Sequence, residues 1–332
     1  MIVLLLALVL LLTGTPTGSD HMLGGPAIGL NCGRERWAGP RKCKAAGARI
    51  ARVEFSIADT PRTMERLVKA YAAKDIKLQP LAGFHGRLPS ATEARNLRAW
   101  ALRFGPRSMF WKGRSDRRLA ITRIEFGNET SYGSQYGDTP TDASYAQRAR
   151  DYALRARDAA SALDGTGVGL LLQGDDGGST STVWLDEMFA AVPNLDDLAV
   201  GWTIHPYGPS GYARIDKMVG QLRGEGASRS LRIFVTEWGL ATDNGRTLSD
   251  NYGYPTNMTY PQAAAVLASV IADWNKRYGS MLTQVLLYQI SDQARPGASS
   301  SRESYFGVLR YDGTEKSGYT AEVRKLTSGQ SG

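Results

Sequence analysis

Two glutamates of this 332-residue chain, Glu129 and Glu237, have the types and spacing that could do chemistry. Each follows a short apolar run with strand character. Ile121-Thr-Arg-Ile-Glu-Phe126 leads into Gly127-Asn128-Glu129, and Leu231-Arg-Ile-Phe-Val-Thr236 leads into Glu237-Trp238-Gly239. A carboxylate at a strand end is poorly placed for packing. Two of them, 108 residues apart, suit glycoside hydrolysis, in which one carboxyl protonates the leaving oxygen and the other attacks the anomeric carbon. A separation of about 5 Å would indicate retention and about 6.5–9.5 Å inversion, and the shorter distance is expected. The charge logic requires Glu129 to carry a raised pKa beside an ionised Glu237, so that it arrives protonated.

What must position these acids is an alternation of strands and helices. Strands are predicted at 27–32, 48–57, 76–84, 121–126, 168–173, 198–204, 232–236 and 285–290. Between them, helices are predicted at 42–47, from Thr60-Pro61 through Tyr71, and at 90–104, 141–163, 183–192, 212–224, 261–278 and 318–326. Thr60-Pro61 and Ser90 with Glu93 are the start signals of two of them. Strict alternation implies a parallel sheet covered by helices, because parallel neighbours need crossovers. Eight such units favour closure into a (β/α)8 TIM barrel of one domain over residues 26–332. No strand is followed by a Gly-x-Gly-x-x-Gly helix start, so a dinucleotide fold loses support and no cofactor is expected. The histidines are His21, His85 and His205, too few and too scattered for a clustered metal site; no metal is expected.

Composition is that of a globular protein, with 42% hydrophobic and 22% charged residues. The net charge of +8 could reflect an acidic partner such as an anionic or cell-envelope polysaccharide, or simply a basic solvated surface. No nucleic-acid partner is expected. Residues 2–12 form an apolar block too short to span a bilayer, which needs roughly 20 residues. Residues 1–25 therefore read as a secretory leader, with a retained membrane anchor as the alternative; Gly18-Ser-Asp-His-Met22 within it resembles a cloning scar. Cys32 and Cys43 are close enough for a small disulfide loop in an oxidising compartment, the alternative being two buried thiols. A secreted monomer is expected.

With Asn128-Glu129 and Thr236-Glu237-x-Gly239 at the ends of the fourth and seventh strands, the sequence resembles the retaining glycoside hydrolases of clan A, in barrels like those of families 5 and 39. The resemblance implies that Glu129 is the acid/base, Glu237 the nucleophile, and Asn128 a contact to the sugar 2-hydroxyl. It further implies that Arg52 on the second strand steadies the nucleophile, that His85 after the third strand contacts substrate, and that His205 and Tyr207 after the sixth support the two acids. Where many clan members carry a tryptophan platform on the eighth strand, this chain offers Tyr288 and Gln289.

Other residues are open to two readings. Glu125 is read as a paired acid inside the barrel; Asp175 and Asp176 bind sugar or cap a helix. Trp111, Trp184, Trp202 and Trp238 are candidates for stacking, and only Trp238 gains from its place beside Glu237. Tyr132, Tyr136, Tyr252 and Tyr254 could form an adaptable rim for a β-linked polymer or merely cover loop backbone. An exo-acting β-glycosidase, a transglycosylase and a non-catalytic glycan-binding barrel are the competing functions.

Overall fold

A computed structural model describes residues 25–33, 39–136, 142–174, 183–227 and 230–329. The leader up to residue 24, with His21, and the pair Asp175-Asp176 lie outside the described residues. The strands are β1 (Ala27–Asn31), β2 (Ile50–Ser56), β3 (Lys77–Gly83), β4 (Arg123–Phe126), β5 (Gly169–Gln173), β6 (Ala199–Ile204), β7 (Ile233–Trp238) and β8 (Leu282–Leu287). They pair in parallel in chain order, and β8 closes on β1 through Ala27↔Gln284 to Leu30↔Leu287. This is the single-domain (β/α)8 TIM barrel that the alternation predicts.

The helices are α1 (Pro40–Ala45), α2 (Pro61–Ala72), α3 (Ala91–Arg95), α4 (Leu97–Phe104), α5 (Asp142–Leu163), α6 (Trp184–Ala191), α7 (Leu195–Leu198), α8 (Gly211–Gly224), α9 (Tyr260–Tyr278) and α10 (Tyr319–Thr327). Their starts follow local chemistry. Thr60 accepts from the Thr63 amide ahead of Pro61, and Ser90 and Glu93 exchange the two bonds of a capping box. A second capping box, Thr259 with Gln262, opens α9. The helix predicted over 90–104 is interrupted at Asn96, where the backbone tightens to ψ −19° between α3 and α4. Among the described residues, no helix is long and apolar enough to cross a membrane.

Each strand also contributes a buried polar side chain: Asn31, Arg52, Gln79, Glu125, Gln173, Thr203, Thr236 and Gln284, in the order β1 to β8. Apolar neighbours on the alternating positions, such as Val53 and Phe55 on β2, are buried as well. Asn31, Arg52, Glu125 and Thr236 are joined to one another by hydrogen bonds, which places them together inside the barrel. Burying these four is tolerable because they satisfy one another.

Candidate active site

The site is assembled around Arg52, a buried cation on β2. Its guanidinium donates to both oxygens of Glu125, Nε to Oε2 at 2.6 Å and Nη2 to Oε1 at 3.0 Å. Nη1 donates to Glu237 Oε1 at 2.5 Å and to Asn31 Oδ1 at 2.8 Å, and Nη2 also reaches Asn128 Oδ1 at 2.8 Å. Burial alone would lower the Arg52 pKa, but the charges of Glu125 and Glu237 outweigh it and push it higher. Arg52 is thus a fixed cation shared by a structural acid, Glu125, and a cleft acid, Glu237.

Glu237 reaches this cluster because β7 is irregular. Val235 pairs with Val285 and Trp238 with Leu287, so β7 spends one residue more than β8 across this step. Thr236 and Glu237 are consecutive and would face opposite sides of a regular strand. Here Thr236 Oγ1 donates to Glu125 Oε1 at 2.9 Å while Glu237 bonds Arg52. Trp238 pays for this irregularity in the opposite sense: it is fully buried and tilts against Trp274 of α9, ring centres 5.0 Å apart. The expectation that Trp238 serves the substrate is therefore corrected; it belongs to the layer between strand and helix. Trp111, Trp184 and Trp202 are likewise buried in the core.

Glu129 stands past the end of β4 on a turn in which Gly127 (φ 81°) and Glu129 itself (φ 45°) take left-handed backbone. For a glutamate that conformation costs about 1 kcal/mol. A Cβ on Gly127 would also meet the Phe84 ring at 2.5 Å, so this turn requires glycine twice over. Glu129 Oε1 lies 3.0 Å from His205 Nδ1, and Gln135 donates its side-chain amide to Oε2. His205 Nε2 is 3.1 Å from Thr236 Oγ1. Tyr207 Oη donates to Glu237 Oε2 at 3.5 Å, and burial first, then the Glu237 charge, holds its phenol well above the usual pKa as a neutral donor.

An oxygen of Glu129, an oxygen of Glu237 and a ring nitrogen of His205 all lie within 4.8 Å of one another. Burial pushes the Glu129 carboxyl up, but the hydrogen bond and charge of His205, with Arg52 and Arg214, outweigh it and leave it below the ordinary glutamate value. For His205, burial acts downward and is outweighed by Glu237 and Glu129, so the imidazole lies above its ordinary value. The predicted elevation of Glu129 is thus not reproduced: its carboxyl is held below, and the His205 imidazole above, the ordinary value. The same three groups could ligate a divalent cation, but the Arg52 guanidinium already occupies Glu237 at 2.5 Å and would repel one.

Arg52, Glu129 and Glu237 line a cleft of about 840 Å³ at the C-terminal ends of the strands, and His205 is buried behind them. Asn128, Glu129, Tyr207, Glu237, Tyr288 and His85 all line it. His85 is exposed and its Nε2 lies 2.6 Å from Glu54 Oε1. Of the four rim tyrosines only Tyr252 lines the cleft, stacked on Tyr207 at 4.7 Å. Tyr136 and Tyr254 are buried, and Tyr132 is bonded by Arg214 at 2.6 Å. Sequence reasoning missed Glu54, Gln135 and Glu303 in the lining. Glu54 had a signal: Arg52, Glu54 and Ser56 alternate along β2, so they share a face. Cys32 also lines the cleft and is bonded to Cys43 across the β1–α1 connection, with Cα atoms 6.7 Å apart.

No protein-family model matches the chain, and no curated protein matches it. Solved structures share its fold at low sequence identity. A GH5_18 protein from Streptomyces cattleya in complex with GlcNAc is 15% identical, with a TM-score of 0.56 over 93% of this chain and 81% of that one. A structure of two fungal β-1,4-galactanases is 12% identical, with a TM-score of 0.55 over 89% and 94%. ZgEngAGH5_4 in complex with a cellotriose is 12% identical, with a TM-score of 0.51 over 92% and 95%. The structural neighbours are thus glycoside hydrolases built on TIM barrels, and what this chain shares with them is the fold.

Proposed function

We propose that the chain is a retaining glycoside hydrolase that cleaves a β-linked glycan by double displacement. The observation that carries this reading is that an oxygen of Glu129 and an oxygen of Glu237 lie within 4.8 Å of each other at the ends of β4 and β7. Retaining pairs stand about 5–5.5 Å apart, whereas inverting pairs leave roughly 6.5–9.5 Å for a water. The Glu237 carboxylate, fixed by Arg52 and Tyr207, attacks the anomeric carbon, and the bond to the leaving oxygen breaks as that oxygen takes a proton through Glu129. The proton comes from the His205–Glu129 pair. Water then enters, gives its proton to Glu129, and frees the sugar from Glu237. Asn128, whose Oδ1 is taken by Arg52, keeps its amide nitrogen for the 2-hydroxyl.

The cleft volume of about 840 Å³ lies toward the upper end of the roughly 300–1,000 Å³ of small-molecule sites and suits several sugar units. Its charge argues for a neutral glycan over the anionic one that the net charge of the chain first suggests. Glu54, Glu93, Glu129, Glu237 and Glu303 line it against two arginines, Arg52 and Arg87. Both are occupied, Arg52 as above and Arg87 by Glu93 at 2.6 Å. Among the described residues, no lining arginine is left to receive a uronate or sulfate. The Cys32–Cys43 bridge supports a secreted place of action.

The test is substitution of each acid with aryl and unactivated β-glycosides as substrates. Glu237→Gln should abolish turnover on both. Glu129→Ala should lose most activity on poor leaving groups, less on activated aryl glycosides, and recover part of it with azide. Proton NMR of the first product should report the β-anomer; release of the α-anomer would overturn retention, and wild-type rates in Glu237→Gln would overturn the mechanism.

A further inference from the structure

The positive charge of the chain is not spread over its surface. Residues 95–118, which form the end of α3, α4 and the connection to β4, hold eight arginines or lysines and one acid, Asp116. That segment alone carries +7 of the chain's net +8. All eight basic side chains are exposed. Among the described residues only three of them meet an acid: Arg103 with Glu65, Arg114 with Asp116, and Arg118 with Asp75. The first and third of these pairs tie the segment to α2 and to the turn after it, which bring further exposed cations alongside: Arg62, Arg66 and Lys74. Arg98, Arg107 and Arg117 are held by backbone carbonyls of Ala162, Gly165 and Pro106, which order the side chain without cancelling its charge. Arg62, Arg66, Lys74 and Lys112 make no side-chain hydrogen bond or ion pair among the described residues.

The same segment exposes apolar surface. Among the described residues, the two most exposed large hydrophobic side chains are Met109 (71%) and Leu102 (56%), both within it. Trp111, between them and the basic run that follows, is buried and anchors the connection. The connection enters β4 at its N-terminal end, whereas the cleft opens at the C-terminal ends of the strands. A ligand on this face would leave the cleft free.

From this juxtaposition of unneutralised cations with protruding Met109 and Leu102, we propose that the face docks the protein on an anionic phospholipid surface, with the cleft turned away from it. Exposed basic residues gain from the negative potential of acidic headgroups, and two apolar side chains among them gain by entering the interface. A soluble anionic polymer would reward the cations and offer nothing to Met109 and Leu102. The proposal does not depend on the glycosidase reading, since none of its residues lines the cleft.

Co-sedimentation of the full chain with phosphatidylcholine vesicles containing about a third phosphatidylglycerol tests it. Binding is expected at about 0.1 M salt, loss of most of it near 1 M, and none to phosphatidylcholine alone. Removal of three unpaired cations, Arg66→Ala, Lys74→Ala and Lys112→Ala together, should weaken binding on the order of a hundredfold, and the corresponding triple glutamate variant should weaken it further. Leu102→Ser with Met109→Ser should weaken vesicle binding severalfold and leave binding to dextran sulfate unchanged. Equal binding to neutral vesicles, or no binding to acidic ones, overturns the proposal. So does vesicle binding that the serine pair leaves untouched, which would make the face a reader of polyanions only. Turnover of a soluble aryl glycoside should stay at the wild-type level in every variant.

Discussion

Replacement of Arg52 by methionine separates the two duties of that side chain. Methionine fills a similar volume but leaves Glu125, fully buried, and Glu237 without their cation. Removing one partner of a buried ion pair costs about 3–5 kcal/mol, because a charge is left uncompensated. Replacing both partners with apolar residues is commonly neutral or better, so Arg52→Met with Glu125→Leu should recover most of that stability. Activity should not follow. Glu237 still lacks the 2.5 Å charge-assisted bond from Nη1, and such a bond contributes about 1.5–3 kcal/mol. At about 1.4 kcal/mol per factor of ten, kcat/KM should stay down by roughly 10- to 150-fold. Urea midpoints at equal m-value give the stability arm and aryl β-glycoside kinetics the activity arm. If the double variant regains stability and activity together, Arg52 acts only through the fold and its role at Glu237 is refuted.

Three further outcomes follow from the same contacts. The raised His205 contributes stability that is complete below its unfolded pKa of about 6.5 and is lost as pH rises through its folded value. The depressed Glu129 contributes stability present above about pH 4.3 and lost as pH falls through its folded value. Urea midpoints should therefore be highest between the two limits, kcat/KM should fall on the alkaline side with His205, and His205→Gln should remove the alkaline limb; an unchanged limb would clear His205. Trp238→Phe should lower stability by about 1–3 kcal/mol without changing KM, as measured by denaturation and kinetics; a raised KM at unaltered stability would restore Trp238 to the cleft. Lys316, buried with Asp292 at 2.7 Å, holds the connection after β8 that carries Glu303 and Phe306, and Lys316→Met should cost about 3–5 kcal/mol by urea titration; a loss under about 1 kcal/mol would refute that.

How much of this was legible in the sequence depends on the range of the interaction concerned. Strand and helix signals are local, so Thr60-Pro61, Ser90 with Glu93, and the recurrence of apolar runs sufficed for eight units and their closure. Glu129, Asn128 and Glu237 were legible because an acid at the end of an apolar strand has no packing reason to be there. Arg52, His205 and Tyr207 were legible through the resemblance to clan A, and their contacts to Glu237 and Glu129 are as that resemblance implies.

The tertiary structure decided three matters that no local pattern encodes. The extra residue of β7 against β8 turns Thr236 and Glu237 into the same cluster and sends Trp238 to α9; sequence proximity to Glu237 pointed the other way. The Glu129 carboxyl lies below its ordinary value because the hydrogen bond and charge of His205, 76 residues away, with the charges of Arg52 and Arg214, outweigh its burial, and only folded distances set that balance. Finally, composition gives a net charge but no direction to it. The basic run at 95–118 is itself local in the sequence; what folding adds is that the Arg103–Glu65 and Arg118–Asp75 pairs set it beside the cations of α2, while the strand ends bring Glu54, Glu129 and Glu237 together at the cleft.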